Sequence, residues 1–524
     1  MNLHLDKKLD KKSILKKTVQ FGGITLLSRI LGIIRDMLLG RFLGIGIKSD
    51  AFIMAYRIPN FLRRIFAEGA LSASFVPVFI KKTKNKELEN PNGLMTLSFL
   101  FFEGIVFLLC LFAIIFPSLI FKLIAPGFSQ EQLSYAIPCL RILFPLLFFI
   151  SSSALLAGAL NAVNHFFIPA LCPALLNVVW ISSLSLCLKF NLSINFLCYS
   201  ILFGGFLNFL VHLIVYLKYN FSFGFIDRQA KDAFKLILSK FTPSLLGVSV
   251  IEINLLIDTF IGSFLPAGSV SILYFAGLFA NLPIGIFAVG FATVLLSQFS
   301  RVAVYAPKRL NFYILEITKF ISWLIIPVML FLIFVSEPIF SILMLGKKSN
   351  IHDVFVAKWV LIIFSAGLVF FCLNKILVNI FYSLHDTKSP TFALVCSTII
   401  NFLGNIIGIK LWGIFGIAGA TSISALTLTF MLLRFLHKKH KFKFYSASYF
   451  NFLGRYVVQL LIASLIFLIS YFTIFRYLQD SNWYNFFYIS WGYWFVVFPL
   501  AAICIAFLFF TKKLFGIKLY FLGK

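Results

Sequence analysis

Charged side chains fall inside the first two long apolar stretches of this sequence, among them Arg29, Arg35, Asp36, Asp50, Arg57, Arg63, Arg64 and Glu68. A charge at mid-bilayer costs about 2.5–3.5 kcal/mol on insertion scales, so residues like these persist there only with a partner, a hydrated cavity or an interface to reach. Asp50, Arg57 and Arg64 recur every seven residues, close to one helical face, and Glu68 follows Arg64 by four. Pro59 interrupts that helix, so the stripe need not be straight. Two kinds of chemistry fit the pattern. One is an internal salt-bridge ladder. The other is a cationic wall that binds an anionic substrate, a task for which the forked donors of arginine match phosphate and carboxylate oxygens.

The elements that must position these groups are set by composition. Of 524 residues, 60% are hydrophobic and 12% charged, and mean hydropathy is +0.98. A water-soluble core cannot be wrapped with so little polar surface, so the chain reads as an integral membrane protein. A spanning helix needs about 20 mostly apolar residues. That ruler gives about fourteen spans, near 18–43, 50–80, 93–121, 134–160, 167–188, 194–217, 236–264, 270–300, 313–345, 354–384, 389–411, 415–436, 451–475 and 486–511. Barrel strands would be about ten residues with alternating polarity, so the fold expected is all-α and polytopic.

The formal charge of +28 then needs a location before it has a meaning. Alternating the loops from a cytoplasmic N-terminus puts about 29 Lys/Arg inside and about nine outside, as the positive-inside rule requires. Most of the excess is a topology signal, and nucleic acid is not an expected partner. No signal peptide is expected, because the first residues are Lys-rich and the apolar run after them lacks a small-residue cleavage site. Both termini are expected in the cytoplasm. The eight cysteines lie within or at the ends of apolar spans, with no CxxC pair and no His at ligand spacing, and read as small core residues. The seven histidines are scattered, and neither a phosphate-binding glycine loop nor HExxH occurs. Enzymatic chemistry is therefore not expected.

An internal repeat organises the spans. Ile65-Phe66-Ala67-Glu68-Gly69 is echoed by Ile286-Phe287-Ala288-Val289-Gly290, and Pro169 by Pro390, both about 221 residues on. Six spans separate the copies, which makes a parallel repeat, as in transporters with a substrate between two lobes. The expected division is a basic N-terminus at 1–17, lobes at 18–220 and 221–440, and two further helices with a basic tail at 441–524. Those last helices suit a lipid tail beside a charged cavity, or simply face lipid.

The runs Ser28-Arg29-Ile30-Leu31-Gly32-Ile33-Ile34-Arg35-Asp36, Ser49-Asp50-Ala51-Phe52 and Ile58-Pro59-Asn60-Phe61-Leu62-Arg63-Arg64-Ile65-Phe66-Ala67-Glu68-Gly69-Ala70 closely resemble the MurJ (MviN) family. Those are bacterial lipid II flippases of the multidrug/oligosaccharidyl-lipid/polysaccharide exporter superfamily. Ala125-Pro126-Gly127-Phe128, Leu246-Gly247-Val248-Ser249-Val250, Gly268-Ser269-Val270-Ser271 and Phe381-Tyr382-Ser383 match as well. The resemblance implies a carrier of undecaprenyl-pyrophosphate-linked peptidoglycan precursor, working by alternating access in the cytoplasmic (inner) membrane. Arg29, Arg35 and Arg63 match family arginines that line a central cavity, and Ser28 and Asp50 match other positions that matter there. Arg64, picked by the seven-residue stripe, is the neighbour of Arg63, about 100° around the helix.

One stretch departs from the family. Where relatives carry Asp-Arg and then Glu before a Pro, this chain has Gly277, Leu278 and Asn281 ahead of Pro283. Acid and base vanish together, which avoids stranding one charge in lipid. Some relatives bind sodium, and Asp258, Asn401, Asn405 and Thr421 match those positions; oxygen ligands suit a hard cation. Sodium is thus the one cofactor the resemblance suggests, as a coupling ion; asparagines hydrogen-bonding between helices are the alternative. Lipid II and membrane lipid are the expected partners of a monomer, with a functional link to peptidoglycan synthesis enzymes. An exporter of another lipid-linked oligosaccharide or amphiphile is the alternative within the superfamily.

Overall fold

The computed structural model describes residues 11–84, 91–163, 165–288, 291, 299, 309–345, 350–443, 445–481 and 483–522. Side chains at 11–22, and at a few positions within helices such as Glu68, lie outside that description. So do the basic residues at 1–10 and 300–308, and Val289 and Gly290 of the second repeat fragment. Among the described residues there is no strand. The chain forms two compact units, Met1–Ser271 and Ile272–Lys524.

The first unit begins with α1 (Lys11–Leu43) and α2 (Ile47–Arg63). A π-helical segment, Arg64–Leu71, carries α2 into α3 (Ser72–Lys84). Then come α4 (Pro91–Ile115), α5 (Pro117–Ile124), α6 (Gln130–Leu143), α7 (Leu146–Ala162), α8 (Phe167–Phe190), α9 (Ile194–Lys218) and α10 (Arg228–Gly262). Polar caps mark the starts in an otherwise apolar sequence. Ser129 and Gln132 form a reciprocal capping box on α6, Ser193 caps α9, and Asp227 caps α10 by accepting from Ala230 N–H. The core of this unit is aromatic: Phe75, Phe79, Phe102, Tyr216, Phe221 and Phe241 pack between α3, α4, α7, α10 and the end of α9. By the repeat, α10 opens the second half, yet its side chains help close this first core.

Helix α11 (Ser269–Pro283) starts in the first unit and continues as a second π-helical segment, Ile284–Ala288. The second unit then contains α12 (Leu310–Phe334), α13 (Ile351–Ala366), α14 (Leu368–Ser383), α15 (Lys388–Trp412) and α16 (Ile414–His440). It ends with α17 (Ser446–Gln479), a short α18 (Tyr484–Ile489) and α19 (Tyr493–Thr511). The α13–α14 pair bends by 41°. Gly413, at φ 57°, makes the tight reversal between α15 and α16, a conformation that costs a side-chain-bearing residue steric energy. The two helices then approach so closely that a Cβ on Gly416 would collide with the Gly408 carbonyl. Small residues permit such contact, the usual basis of helix association in lipid. The C-terminal pair is tied to α12 by polar contacts, with Tyr456 donating to the Trp323 carbonyl at 2.7 Å and the Glu316 carboxylate accepting from Tyr520 N–H at 3.2 Å.

Fourteen spans are expected from the sequence, and helix occurs at each of the fourteen places. Ten described helices are long and apolar enough to cross a membrane, or eleven with the bent α13–α14 pair counted as one. The remaining three are α1, α2 and α10, and each carries charge inside its apolar stretch: Arg29, Arg35 and Asp36; Asp50 and Arg57; Glu252 and Asp258. The protein is a multi-pass membrane protein.

The repeat holds element by element. Shifted by 221 residues, α7, α8 and α9 fall on α14, α15 and α16 within two residues at each end, and the first π-helical segment overlaps the second. A repeat read from two short fragments therefore extends through the secondary structure of both halves.

Candidate functional site

Among the described residues, Arg35 with Asp36, Arg63 with Arg64, and Asp50 form three groups with different partners. The first joins α1 to α8. Arg35 bonds Asp36 through Nε at 2.9 Å, with a second guanidinium nitrogen 2.8 Å from the same oxygen. Its remaining arm donates to Asn177 Oδ1 at 3.0 Å. The guanidinium also lies 5.0 Å from the centre of the Trp180 ring, a cation–π distance. Asn177 completes the brace by donating to the Ser28 carbonyl at 2.9 Å. Trp180 is in turn held edge-on by Phe52 and Tyr56 of α2. Arginine suits this position because one planar fork can serve a carboxylate, a carboxamide and a ring together.

The second group sits where α2 becomes π-helical. Pro59 has no N–H to give the helix, and the π-helical segment begins five residues later, immediately after Arg63. Arg63 donates to Asn60 Oδ1 at 2.9 Å, one turn back on its own helix. Arg64 instead reaches Glu252 of α10 at 3.3 Å. The adjacent arginines therefore have different partners, and the change of helical pitch at Arg64 ends the seven-residue register. Arg29 is exposed on α1.

Asp50 is the third group. It is 1% exposed, and both of its oxygens are engaged. Oδ2 accepts from Gly268 N–H at 2.7 Å and from Gln132 Nε2 at 3.3 Å, while Oδ1 accepts from Ser271 N–H at 2.8 Å. A carboxylate on backbone donors at the start of α11 is a cap supplied from far along the chain, favoured by the partial positive charge of a helix N-terminus. Gln132 reaches Asp50 with the amide nitrogen left over from its own capping box.

Asn177, Trp180, Gln132 and Glu252 are absent from the sequence-derived site. A lone carboxamide in the apolar run of α8 was the available signal for Asn177. For Glu252 the signal was a carboxylate inside the apolar run of α10; nothing in local spacing pointed to Trp180 or Gln132.

The second unit is built differently. Leu278 is half-buried, and Asn281 turns its amide back onto the Gly277 carbonyl at 2.8 Å. On α15 and α16, Asn405 donates to Asn401 Oδ1 at 3.1 Å, and Asn401 donates to Thr421 Oγ1 at 3.2 Å. Ser397 bonds the Ser424 carbonyl at 2.9 Å on the same seam. Three of the four suggested sodium positions are thus brought together, and Asp258 belongs to α10 of the first unit. Among the described residues no three of His, Cys, Asp and Glu converge at metal-binding geometry.

An all-α multi-pass membrane protein, with braced arginines in one unit and asparagine, serine and threonine seams in the other, is the class of protein these features define. A multidrug resistance MATE family transporter of the MOP superfamily, solved facing inward, shares the fold, with a TM-score of 0.64 over 79% of this chain and 96% of that one at 14% identity. A lipid II flippase MurJ solved in an inward closed conformation is more similar: TM-score 0.76, 27% identity, 95% of this chain and 99% of that one. The family described as "Lipid II flippase MurJ" matches residues 39–488. Probable lipid II flippases MurJ of Buchnera aphidicola (from Schizaphis graminum) and Vibrio cholerae are 33% and 32% identical, covering 90% and 81% of this chain and 91% and 83% of their own. The chain belongs to the lipid II flippase MurJ family.

Proposed function

We propose that this chain carries lipid II from the inner to the outer leaflet of the bacterial cytoplasmic membrane by alternating access, with both termini on the cytoplasmic side. Its arginines meet the pyrophosphate in a cationic central cavity. Arg29, Arg35 and Arg63 are the substrate contacts, with Arg64 beside them. Ser28 and Asp50 set the helices that carry them. The observation that supports this most is the brace on Arg35. A half-buried cation held by Asp36, Asn177 and Trp180 is oriented in advance, which lowers the cost of ordering it around an anion. Because Leu278 supplies no charge, the first half carries the anionic group, and the second half contributes shape and apolar surface. Binding alone drives no net movement, so membrane potential, an ion gradient or consumption of the product biases the cycle.

Sodium is the coupling ion this reading includes. The oxygens of Asn401, Asn405 and Thr421 are of the type a hard cation takes, and an ion held there would supply a link to the sodium gradient. It would replace hydrogen bonds that join α15 to α16. A sodium-dependent rise in thermal stability that Asn401→Leu removes is the expected sign; equal stability in sodium and choline rules the site out.

The decisive experiment is lipid II translocation in proteoliposomes at clamped potential. Wild type is expected to transport, and Arg29→Ala, Arg35→Ala and Arg63→Ala to insert without transporting. Full activity in all three would overturn the cationic cavity. Inactive wild type that moves a different lipid-linked oligosaccharide would overturn the substrate.

A further inference from the structure

Two contacts outside the arginine region occupy the same place in each half. His165 lies between α7 and α8, and its Nδ1 is 2.8 Å from the hydroxyl of Tyr219, the residue that follows α9. The two rings are tilted against each other with centres 4.9 Å apart. In the second half, Asp386 lies between α14 and α15. Its Oδ2 is 3.0 Å from Nε2 of His440, the last residue of α16, and 2.9 Å from Lys439 Nζ. Asp386 also caps α15, accepting from Ser389 N–H at 3.0 Å and Ser389 Oγ at 2.7 Å. His165 and Asp386 are 221 positions apart, and so are Tyr219 and His440. The next residues, Asn220 and Lys441, share that spacing and both turn left-handed, with φ 58° and 55°. The joints coincide although the residue types do not.

Each contact closes the open end of a helical hairpin. A short turn joins α8 to α9, and Gly413 joins α15 to α16. At the other end, the pairs fix the start of the first helix to the end of the second. In the first unit the helix so held is α8, which presents Asn177 and Trp180 to Arg35. A helix moves largely as a rigid rod, so play at its start is carried along to those residues.

We infer that His165–Tyr219 and Asp386–His440, with Lys439, are one latch present twice, and that His165 and Tyr219 are positioning residues that set α8 behind Arg35. Their consequence for transport rests on the flippase reading above; the latch itself does not.

Exchange of chemistry between the halves is the test. Tyr219→Phe and His165→Ala are each expected to lower lipid II translocation about fivefold, and together no further, because contacting residues are non-additive. The double variant His165→Asp with Tyr219→His rebuilds the first latch with the second one's carboxylate and imidazole, and is expected to return to within about twofold of wild type. Additive single effects, unchanged singles, or a rebuilt pair no better than the singles would each overturn the inference. A second readout needs no substrate: disulfide formation between Ser28→Cys and Asn177→Cys in the full-length protein in membranes. Its yield should fall with Tyr219→Phe and recover in the rebuilt pair. If wild type transports but the yield ignores the latch, positioning fails. If the yield follows the latch while wild type moves no lipid II, the flippase reading fails and the latch stands.

Discussion

Ser28, Arg35, Asp36, Asn177 and Trp180 join α1 to α8; the residues 221 positions later are Ser249, Leu256, Ile257, Thr398 and Asn401. The same helices recur, but the residue types at these places have changed. In the first half an arginine, a carboxylate and an aromatic ring meet, at a cost in lipid that packing alone does not require. In the second half, serines, threonines and asparagines form neutral hydrogen bonds, and glycines bring backbones together. Asn374 donates to the Ala425 carbonyl at 2.9 Å and accepts from Thr429 at 2.8 Å, which ties α14 to α16 in the same way. The second half joins these helices with neutral bonds, beside ion pairs elsewhere such as Glu316–Lys319 and Asp386–Lys439. What sets the first half apart is an arginine at the centre of a brace between two helices, Arg35 between α1 and α8.

Several substitutions can break or sharpen this contrast. Arg35→Ala removes hydrogen bonds from a charged group, each worth about 1.5 kcal/mol or more, so transport should drop about 100-fold or further while the amount of inserted protein is unchanged. Activity within a factor of three of wild type would make the charged brace structural after all. Asp50→Ala should act on stability. It leaves the N–H groups of Gly268 and Ser271 buried without their acceptor, a loss of about 3 kcal/mol, readable in detergent by denaturant or thermal unfolding. Gly416→Ala, in the second half, forces a methyl against the Gly408 backbone and should cost about 2 kcal/mol with no change in ion dependence. Asn401→Leu is the mildest, about 0.6 kcal/mol, the average for interhelical hydrogen bonds in membranes. A larger loss would mean that the seam holds more than two helices together.

The Asp386 joint adds a pH signature outside the spans. Burial alone would raise its carboxyl, but hydrogen bonds from Ser389, Lys439 and His440 outweigh it and hold the group below the usual carboxylate range. A carboxylate depressed in the folded state contributes fully above its unfolded value, about 3.9, and loses that contribution as pH falls through the lower folded value. Measured in a His440→Gln background, the stability gap between Asp386 and Asp386→Asn should be flat from pH 8 to about 5 and close only below about 4. A gap that closes near neutrality would show that the carboxyl is not held down.

Much of the fold was legible because membrane helices announce themselves by length and apolarity, and the repeat by Ile65–Gly69 and Pro169. The arginines were legible because charge inside an apolar run is rare. Asp36 aside, their partners were not. Spacing on α2 describes a single face only while the pitch is constant, and the π-helical turn at Arg64 removes that condition. Asn177 reaches Ser28 across 149 residues, and Gln132 reaches Asp50 across 82, separations that no local pattern encodes. The approach of Gly408 to Gly416 was hidden for another reason: a glycine in an apolar helix reads as weak helix propensity until the neighbour is seen.

Asp50 and Ser271, which hydrogen-bond each other, are themselves 221 residues apart and so occupy corresponding places in the two copies. A protein assembled from two identical halves would set like against like there. Two aspartates would repel, and two serines would offer no carboxylate to the Gly268 amide. The donor is a backbone N–H that either residue would supply, so what divergence provides is a carboxylate in one copy without a second one facing it in the other.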